Sequence, residues 1–134
     1  MRENIVKISP RYCETDQMGI IHHANYLIYM EQGRVSWLND LGFSYKQMEE
    51  SGVLLPVYHI DIKYKKSSRF GDDLTVITRL RKVPSTKVEF DYEIKNSEGE
   101  ICATAHLILV FTDAKTFRPM RPLKDFVEKC KDLF

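Results

Sequence analysis

Residues 26–42 of the chain, YLIYMEQGRVSWLNDLG, contain its longest helical pattern. Apolar side chains recur there at helical spacing, and Gly42 follows the last of them, where a glycine often ends a helix. Ile28 and Val35 make the opposite side partly apolar as well, which is typical of a buried helix. The segment therefore predicts a long helix at the centre of the fold. Gly33 in its middle predicts a close approach between helix and sheet.

Most of the remaining sequence alternates as strands do. Residues 58–64, 74–81 and 87–94 place apolar side chains at every second position, which is typical of strands with one face on a core. A fourth run, residues 100–112, is apolar on both faces in its second half. This doubly apolar stretch indicates either a central strand or one covered by a partner. A shorter strand-like pattern precedes them at residues 4–12.

Two shorter helices complete the pattern. Ser44 and Gln47 form a capping-box pattern at the start of residues 44–51, and residues 122–134 carry an apolar stripe at helical spacing. The order of elements predicts an α+β fold in which an antiparallel sheet of five strands wraps around the long helix. Because the length is typical of one domain and no linker interrupts it, we expect a single domain over residues 1–134.

Composition and charge exclude several classes of protein. The net charge is +1, from 20 basic and 19 acidic residues, which argues against a nucleic-acid-binding protein. Cys13, Cys102 and Cys130 lack any CxxC spacing and predict reduced thiols. The N-terminus does not read as a signal peptide, and no run approaches the roughly 20 apolar residues that cross a bilayer. We therefore expect a soluble cytoplasmic protein without membrane insertion.

The segment before the long helix carries the residues best suited to chemistry. It reads YCETDQMGIIHHANY over residues 12–26 and contains Asp16, Gly19 and two histidines. The first N–H groups of a helix lack internal partners and carry the positive end of its dipole. A loop that enters the helix near His23 would therefore direct donors into a pocket, as an oxyanion hole requires. Asp16 could act there as a base or nucleophile.

Other interpretations of these residues stay open. An aspartate shortly before a helix is often a cap or a solvated turn residue. Glu31 is a second carboxylate, which an ion pair or an interface contact with a residue such as Arg34 would also explain. Adjacent helical histidines face different ways, so His22 and His23 do not predict a metal site. We expect neither a metal nor a cofactor.

The same segment resembles the opening motif of the 4-hydroxybenzoyl-CoA thioesterase-like hotdog-fold family, most closely its acyl-CoA thioesterases associated with the Tol–Pal cluster. The family pattern is roughly Tyr-x-x-Thr-Asp-x-x-Gly-h-h-x-His-x-x-Tyr, where h is apolar. The positions that match it in register are Tyr12, Thr15, Asp16, Gly19, Ile20, Ile21, His23 and Tyr26. The similarity continues through residues 64–74 and 110–122 and so covers nearly the full chain. It implies a hotdog fold and hydrolysis of acyl-CoA to a free acid and CoA.

The resemblance also implies roles for single residues. Asp16 would be the catalytic carboxylate, acting as general base or nucleophile. The backbone N–H of His23 would be the oxyanion donor, and the His23 side chain would position substrate or water. Tyr12 would support the region of Asp16. For the CoA moiety the resemblance implies Ser85, Thr86 and Lys87 in one loop, and Arg118 in the tail after the last strand.

Lys87 is the only basic residue in the loop of residues 83–87, so two alternatives stay open. One is a thioesterase that acts on acyl carrier protein. The other, of a different class, is a non-catalytic module that binds acyl thioesters, because fold alone does not imply function. Members of the family join their sheets edge to edge. The resemblance therefore implies a homodimer or homotetramer with active sites at the subunit interface.

Overall fold

Five strands form one antiparallel sheet in the computed structural model, which describes residues 3–134. In chain order they are β1 (Glu3–Ile8), β3 (Val57–Tyr64), β4 (Leu74–Leu80), β5 (Lys87–Lys95) and β6 (Ile101–Val110). Their order across the sheet is β1-β4-β5-β6-β3. Two short strands, β2 (Val53–Leu54) and β7 (Thr112–Asp113), pair separately. The inner side chains of β4, β5 and β6 alternate with outer ones, as their sequence patterns predict.

One long helix, α1 (Asn25–Leu41), lies against this sheet and ends at Gly42, whose φ is +96°. Gly33 faces β4 so closely that an added Cβ would collide with the Thr78 hydroxyl and lie 3.1 Å from Val76 Cγ1. The predicted close approach of helix and sheet is therefore confirmed. Two shorter helices follow, α2 (Tyr45–Glu50) and α3 (Lys124–Lys131).

The predicted α+β architecture, a five-stranded antiparallel sheet around a central helix, is confirmed. The start of the helix differs from the prediction. Helix α1 begins at Asn25, and Ala24 is its N-cap, because residues 22–24 form a turn that the sequence pattern did not separate from the helix. A short 3-10 helix at Tyr12–Glu14 was also not predicted.

The sheet has β1 at one edge and β3 at the other. The doubly apolar stretch at residues 107–111 falls mainly in β6, which lies between β5 and β3, so its pattern reflects a central position and not a sheet edge. Edge strand β3 is covered far less on its inner face than its neighbours. Val57 and Tyr64, which pair with the buried Leu109 and Ala103, are 50% and 48% exposed, whereas Phe90 on β5 is fully buried.

Glu31 and Arg34 do not form the ion pair that their spacing had suggested. Glu31 is exposed on α1, whereas Arg34 is buried and its guanidinium donates to the Tyr92 hydroxyl at 3.5 Å. Within residues 3–134 the Nε of Arg34 has no acceptor. No helix in this described part of the chain is long and apolar enough to cross a membrane.

Candidate active site

A cleft of about 240 Å³ opens where the loop before α1 meets the loop after β3. Two predicted catalytic residues, Asp16 and His23, line it together. The remaining lining residues are Met18, Ile20, Ile21, Tyr26, Tyr64, Lys65, Lys66 and Ser67. A larger groove of about 480 Å³ lies over outward-facing residues of the sheet but contains none of the predicted catalytic or CoA-binding residues.

Asp16 is held in a tight turn by its own side chain. Its Oδ1 accepts a hydrogen bond from the Met18 N–H at 2.8 Å, and the backbone closes the turn from Asp16 N to Ile20 O at 2.9 Å. Gly19 completes the turn at a φ of +78°, a conformation that favours glycine. Within residues 3–134, Oδ2 receives no hydrogen bond from protein. Asp16 is therefore not a helix cap, and it presents one free carboxylate oxygen.

The backbone at the helix entry leaves one donor open. The N–H groups of Asn25 and Tyr26 donate to the carbonyls of His22 and His23, and the Ala24 N–H donates to His22 Nδ1 at 3.2 Å. In the described chain the His23 N–H alone among these neighbours has no protein acceptor. The open donor therefore belongs to the turn before α1, one residue ahead of the helix N-cap.

The rings of His22 and Tyr64 contact the His23 ring. The Tyr64 hydroxyl donates to the His23 carbonyl at 3.3 Å, and the two rings meet edge to face at 5.9 Å. The His22 ring stacks on that of His23 at 4.4 Å between centroids. The sequence had given His22 no role. In the structure its ring nitrogen accepts the Ala24 N–H and shapes the turn.

A second loop fixes the first one in place. The Ile21 N–H donates to the Ser68 carbonyl at 2.7 Å, and the Tyr26 hydroxyl donates to Ser68 Oγ at 3.0 Å. Burial raises the pKa of Tyr26, while its bond to Ser68 acts in the opposite direction. Ser68 and Tyr26 are both buried, so the wall of the cleft is anchored in the core.

Glu14 is a structural anchor of the loop that carries Asp16, and it was not among the predicted site residues. It is 7% exposed, and Oε1 accepts from the Tyr29 hydroxyl at 2.7 Å and from the Arg11 N–H at 2.8 Å. Burial raises the pKa of the Glu14 carboxyl, but these hydrogen bonds lower the pKa more, so it lies below its usual value. The Arg11–Glu14 spacing of three residues was the signal available in the sequence.

We expect Glu14→Gln to lower the free energy of unfolding by about 2 kcal/mol at pH 7, because it weakens charge-assisted hydrogen bonds in a buried place. The folded-state pKa of Glu14 is depressed, so its contribution is present above the unfolded pKa of about 4.3 and is lost as the pH falls through the folded pKa. Urea unfolding from pH 7 to pH 3 would measure this. The difference between native protein and variant should shrink at the acid end; a constant difference would contradict the prediction.

The remaining predicted site residues lie away from the cleft. The Tyr12 ring is 76% exposed and packs edge to face on Phe70, and only its carbonyl, which accepts from Thr15, faces the loop. Ser85, Thr86 and Lys87 precede and begin β5 at the far end of the sheet. Arg118 reaches the same end, because Phe111 bonds both Thr86 and Met120. Within one chain, therefore, the predicted CoA-binding residues do not lie beside Asp16.

No group of three or more His, Cys, Asp or Glu side chains within residues 3–134 is arranged to hold a metal ion. Comparison with known proteins then places the chain. A family model described as the thioesterase-like superfamily matches residues 10–130. The chain belongs to this superfamily. The match includes the whole Asp16 loop, α1 and the five-stranded sheet apart from β1.

Similarity to individual proteins supports the same family assignment. YneP of Bacillus subtilis (strain 168), named provisionally as an acyl-CoA thioesterase, is 42% identical over 120 residues, covering 90% of this chain and 87% of YneP. The crystal structure of a DHNA-CoA thioesterase from Staphylococcus aureus superposes with a TM-score of 0.94 at 34% identity, over 99% of this chain and 91% of that one. The chloroplastic acyl-acyl carrier protein thioesterase ATL3 of Arabidopsis thaliana is 30% identical over 117 residues, covering 87% of this chain and 61% of ATL3.

Proposed function

We propose that this thioesterase-like chain hydrolyses acyl-CoA thioesters, with Asp16 as general base or nucleophile and the His23 N–H as oxyanion donor. One observation carries the proposal: a single cleft holds both a carboxylate with a free oxygen and a residue with an open backbone donor. The similarity to relatives named as acyl-CoA thioesterases supports the choice of substrate class.

The reaction needs only these groups and water. A thioester carbonyl in the cleft accepts a hydrogen bond from the His23 N–H, which stabilises the negative charge that develops on its oxygen. As a base, Asp16 takes a proton from water while the hydroxide adds to the carbonyl carbon; the C–S bond then breaks, and the sulfur takes the proton from Asp16 and leaves as CoA thiol. As a nucleophile, Asp16 adds to the carbonyl carbon and the C–S bond breaks, releasing CoA thiolate, which takes a proton from solvent. Water then hydrolyses the resulting anhydride, which restores the Asp16 carboxylate. Both routes give the free acid and CoA.

A thiol-release screen over acyl-CoA esters of different chain length and aromatic character would test the proposal. The native protein should release CoA from at least one ester, and Asp16→Asn protein should not do so above a small residual rate. Absence of thiol release from every ester would favour the non-catalytic binding module. Cytoplasmic location and the likeness to Tol–Pal-associated enzymes stay predictions from the sequence.

Acyl carrier protein is the second candidate carrier. Of the loop residues predicted to contact CoA, Lys87 alone is basic, and its ammonium lies 4.7 Å from the Tyr58 ring centroid in a cation–π contact. The 30% identity to ATL3 also favours this alternative. Turnover of one acyl group carried by CoA and by acyl carrier protein would decide between them, since the preferred carrier should give the higher kcat/KM.

We also propose that two copies join through β3, so that each active site lies at the subunit interface. Strand β3 is a sheet edge whose inner face is poorly covered, and unpaired edges favour such pairing. Tyr58 and Tyr64 lie roughly 20 Å apart along it, at 3.3 Å per residue. Antiparallel pairing of two β3 strands would bring the Lys87 end of one copy towards the Asp16 cleft of the other. The predicted CoA-binding residues would then lie near a cleft that their own chain does not reach.

A charge placed on this edge should separate the two copies. Val57 is 50% exposed and Tyr58 64%, so Val57→Lys with Tyr58→Lys leaves the core intact. In the antiparallel arrangement these new charges would face the lysine-rich end of the partner's β3, and like charges opposite each other are unfavourable. Sedimentation velocity should show the native dimer or tetramer shift to a monomer at the same concentration. The matched control is Ile5→Lys on the opposite edge strand β1, where 58% of the residue is exposed. A native oligomeric state in the β3 variant would reject this interface.

A further inference from the structure

Two consecutive lysines after the end of β3, Lys65 and Lys66, line the cleft that contains Asp16. In a regular strand, neighbouring side chains point to opposite faces. Here the N–H groups of Lys65 and Lys66 both donate to the Cys102 carbonyl, at 2.8 and 3.1 Å, so the ladder stops directly after Tyr64. Lys65, Lys66 and the following serine all line the cleft of Asp16 as a result.

The two lysines differ in their partners. Lys66 donates to Glu100 at 2.6 Å, and this hydrogen bond raises its pKa. In the part of the chain that the structure describes, the Lys65 ammonium forms no ion pair with a carboxylate and donates no hydrogen bond. Arg69 adds positive charge beside the same loop, since a Cβ at Gly19 would lie 3.8 Å from its guanidinium. Of the two lysines that line the cleft, Lys65 is therefore the one whose ammonium makes no ion pair within the described residues.

The other walls of the cleft are mainly apolar or aromatic, with Met18, Ile20 and Ile21 on one loop and Tyr26 and Tyr64 opposite. Such walls suit a short acyl chain, and the ammonium suits an anion at the end of it. We infer that Lys65 recognises a carboxylate carried by the acyl group, so that the preferred substrates are thioesters of short dicarboxylic acids. This inference rests on the proposed function, because it takes the cleft as the acyl site.

The phosphates of CoA fit the position of Lys65 less well. The pantetheine arm, with its two amide groups, keeps the diphosphate well away from the thioester sulfur. Because Lys65 lines the same cleft as Asp16, its ammonium would contact the acyl side of the thioester. An ammonium also binds a carboxylate as a point charge, which tolerates several chain lengths.

Binding to Asp16→Asn protein tests the inference without turnover of the ligand. Calorimetry would give Kd for glutaryl-CoA, for pentanoyl-CoA, which lacks the terminal carboxylate, and for free CoA. The ratio of the pentanoyl-CoA Kd to the glutaryl-CoA Kd should exceed one. Lys65→Gln should lower this ratio about fivefold, because a partly exposed ion pair changes affinity by roughly that factor. Lys65→Glu, which reverses the charge, should lower the ratio by on the order of twentyfold. Lys63→Gln, whose side chain lies on the outer face of β3, should leave the ratio within twofold.

A ratio that does not change in Lys65→Gln would overturn the inference. Equal weakening of glutaryl-CoA, pentanoyl-CoA and free CoA would overturn it too, because Lys65 would then bind the phosphates. Thiol release is measured in parallel on protein that retains Asp16. Selective binding that depends on Lys65, without thiol release from any ester, would support this inference while rejecting the proposed function.

Discussion

Replacing Asp16 by Asn is expected to lower kcat for thioester hydrolysis by at least about 100-fold, the effect of removing a positioned base or nucleophile. Asparagine can neither take a proton from water nor attack the carbonyl. It keeps an oxygen at the position of Oδ1, which accepts the Met18 N–H, so the turn should survive. Steady-state kinetics on the best ester from the thiol-release screen would measure the loss.

Two further variants isolate the role of this carboxylate. Asp61→Asn changes an exposed aspartate on the outer side of β3 and should retain native kcat. His23→Ala removes the ring but keeps the open N–H, so its loss should be smaller than that of Asp16→Asn. Near-native turnover by a folded Asp16→Asn protein would refute the assignment of Asp16.

Gly33→Ala should destabilise the fold by about 2 kcal/mol, although alanine ordinarily favours a helix by about 1 kcal/mol over glycine. The added methyl group would collide with the Thr78 hydroxyl and approach Val76 on β4. Thr78 is fully buried, and its strand is bonded on both sides to β1 and β5, so neither partner moves cheaply. Chemical denaturation monitored by the single tryptophan, Trp37, would measure the loss.

Gln32→Ala is the matched control for this substitution. It adds the same residue one position earlier, on the exposed side of α1, and should leave the unfolding free energy unchanged or slightly higher. If Gly33→Ala were as stable as Gln32→Ala, the contact between α1 and β4 would be looser than the structure indicates.

Local patterns in the sequence predicted most of the fold. Apolar alternation at Val88, Phe90, Tyr92 and Ile94 identified the inner face of β5, which is buried as expected. Periodicity cannot give the order of strands in the sheet, because pairing depends on contacts between distant residues. The doubly apolar end of β6 was therefore compatible with an edge or with the centre until its neighbours β5 and β3 were known.

The family motif predicted Asp16 and His23 as neighbours in a candidate site, and both residues line the same cleft. The placement of Tyr12 could not be derived in this way. A 3-10 turn at Tyr12–Glu14 buries Glu14 and leaves the Tyr12 ring exposed, and nothing in local spacing distinguishes that outcome from its reverse. The position of Lys65 beside Asp16 could not be derived from the sequence for a related reason, since the two hydrogen bonds to the Cys102 carbonyl that end β3 are long-range contacts.

The loop that carries Asp16 is hydrogen-bonded at several points to the rest of the fold. Glu14 accepts the Tyr29 hydroxyl, and its carbonyl accepts both the His22 N–H and the Asn25 side chain, while Ile21 is bonded to Ser68. A loop tied to both a buried helix and a second loop has little conformational entropy left to lose when substrate arrives. The catalytic groups should therefore be preorganised in the free protein, and the open His23 amide should exchange with solvent faster than the bonded amides on either side of it.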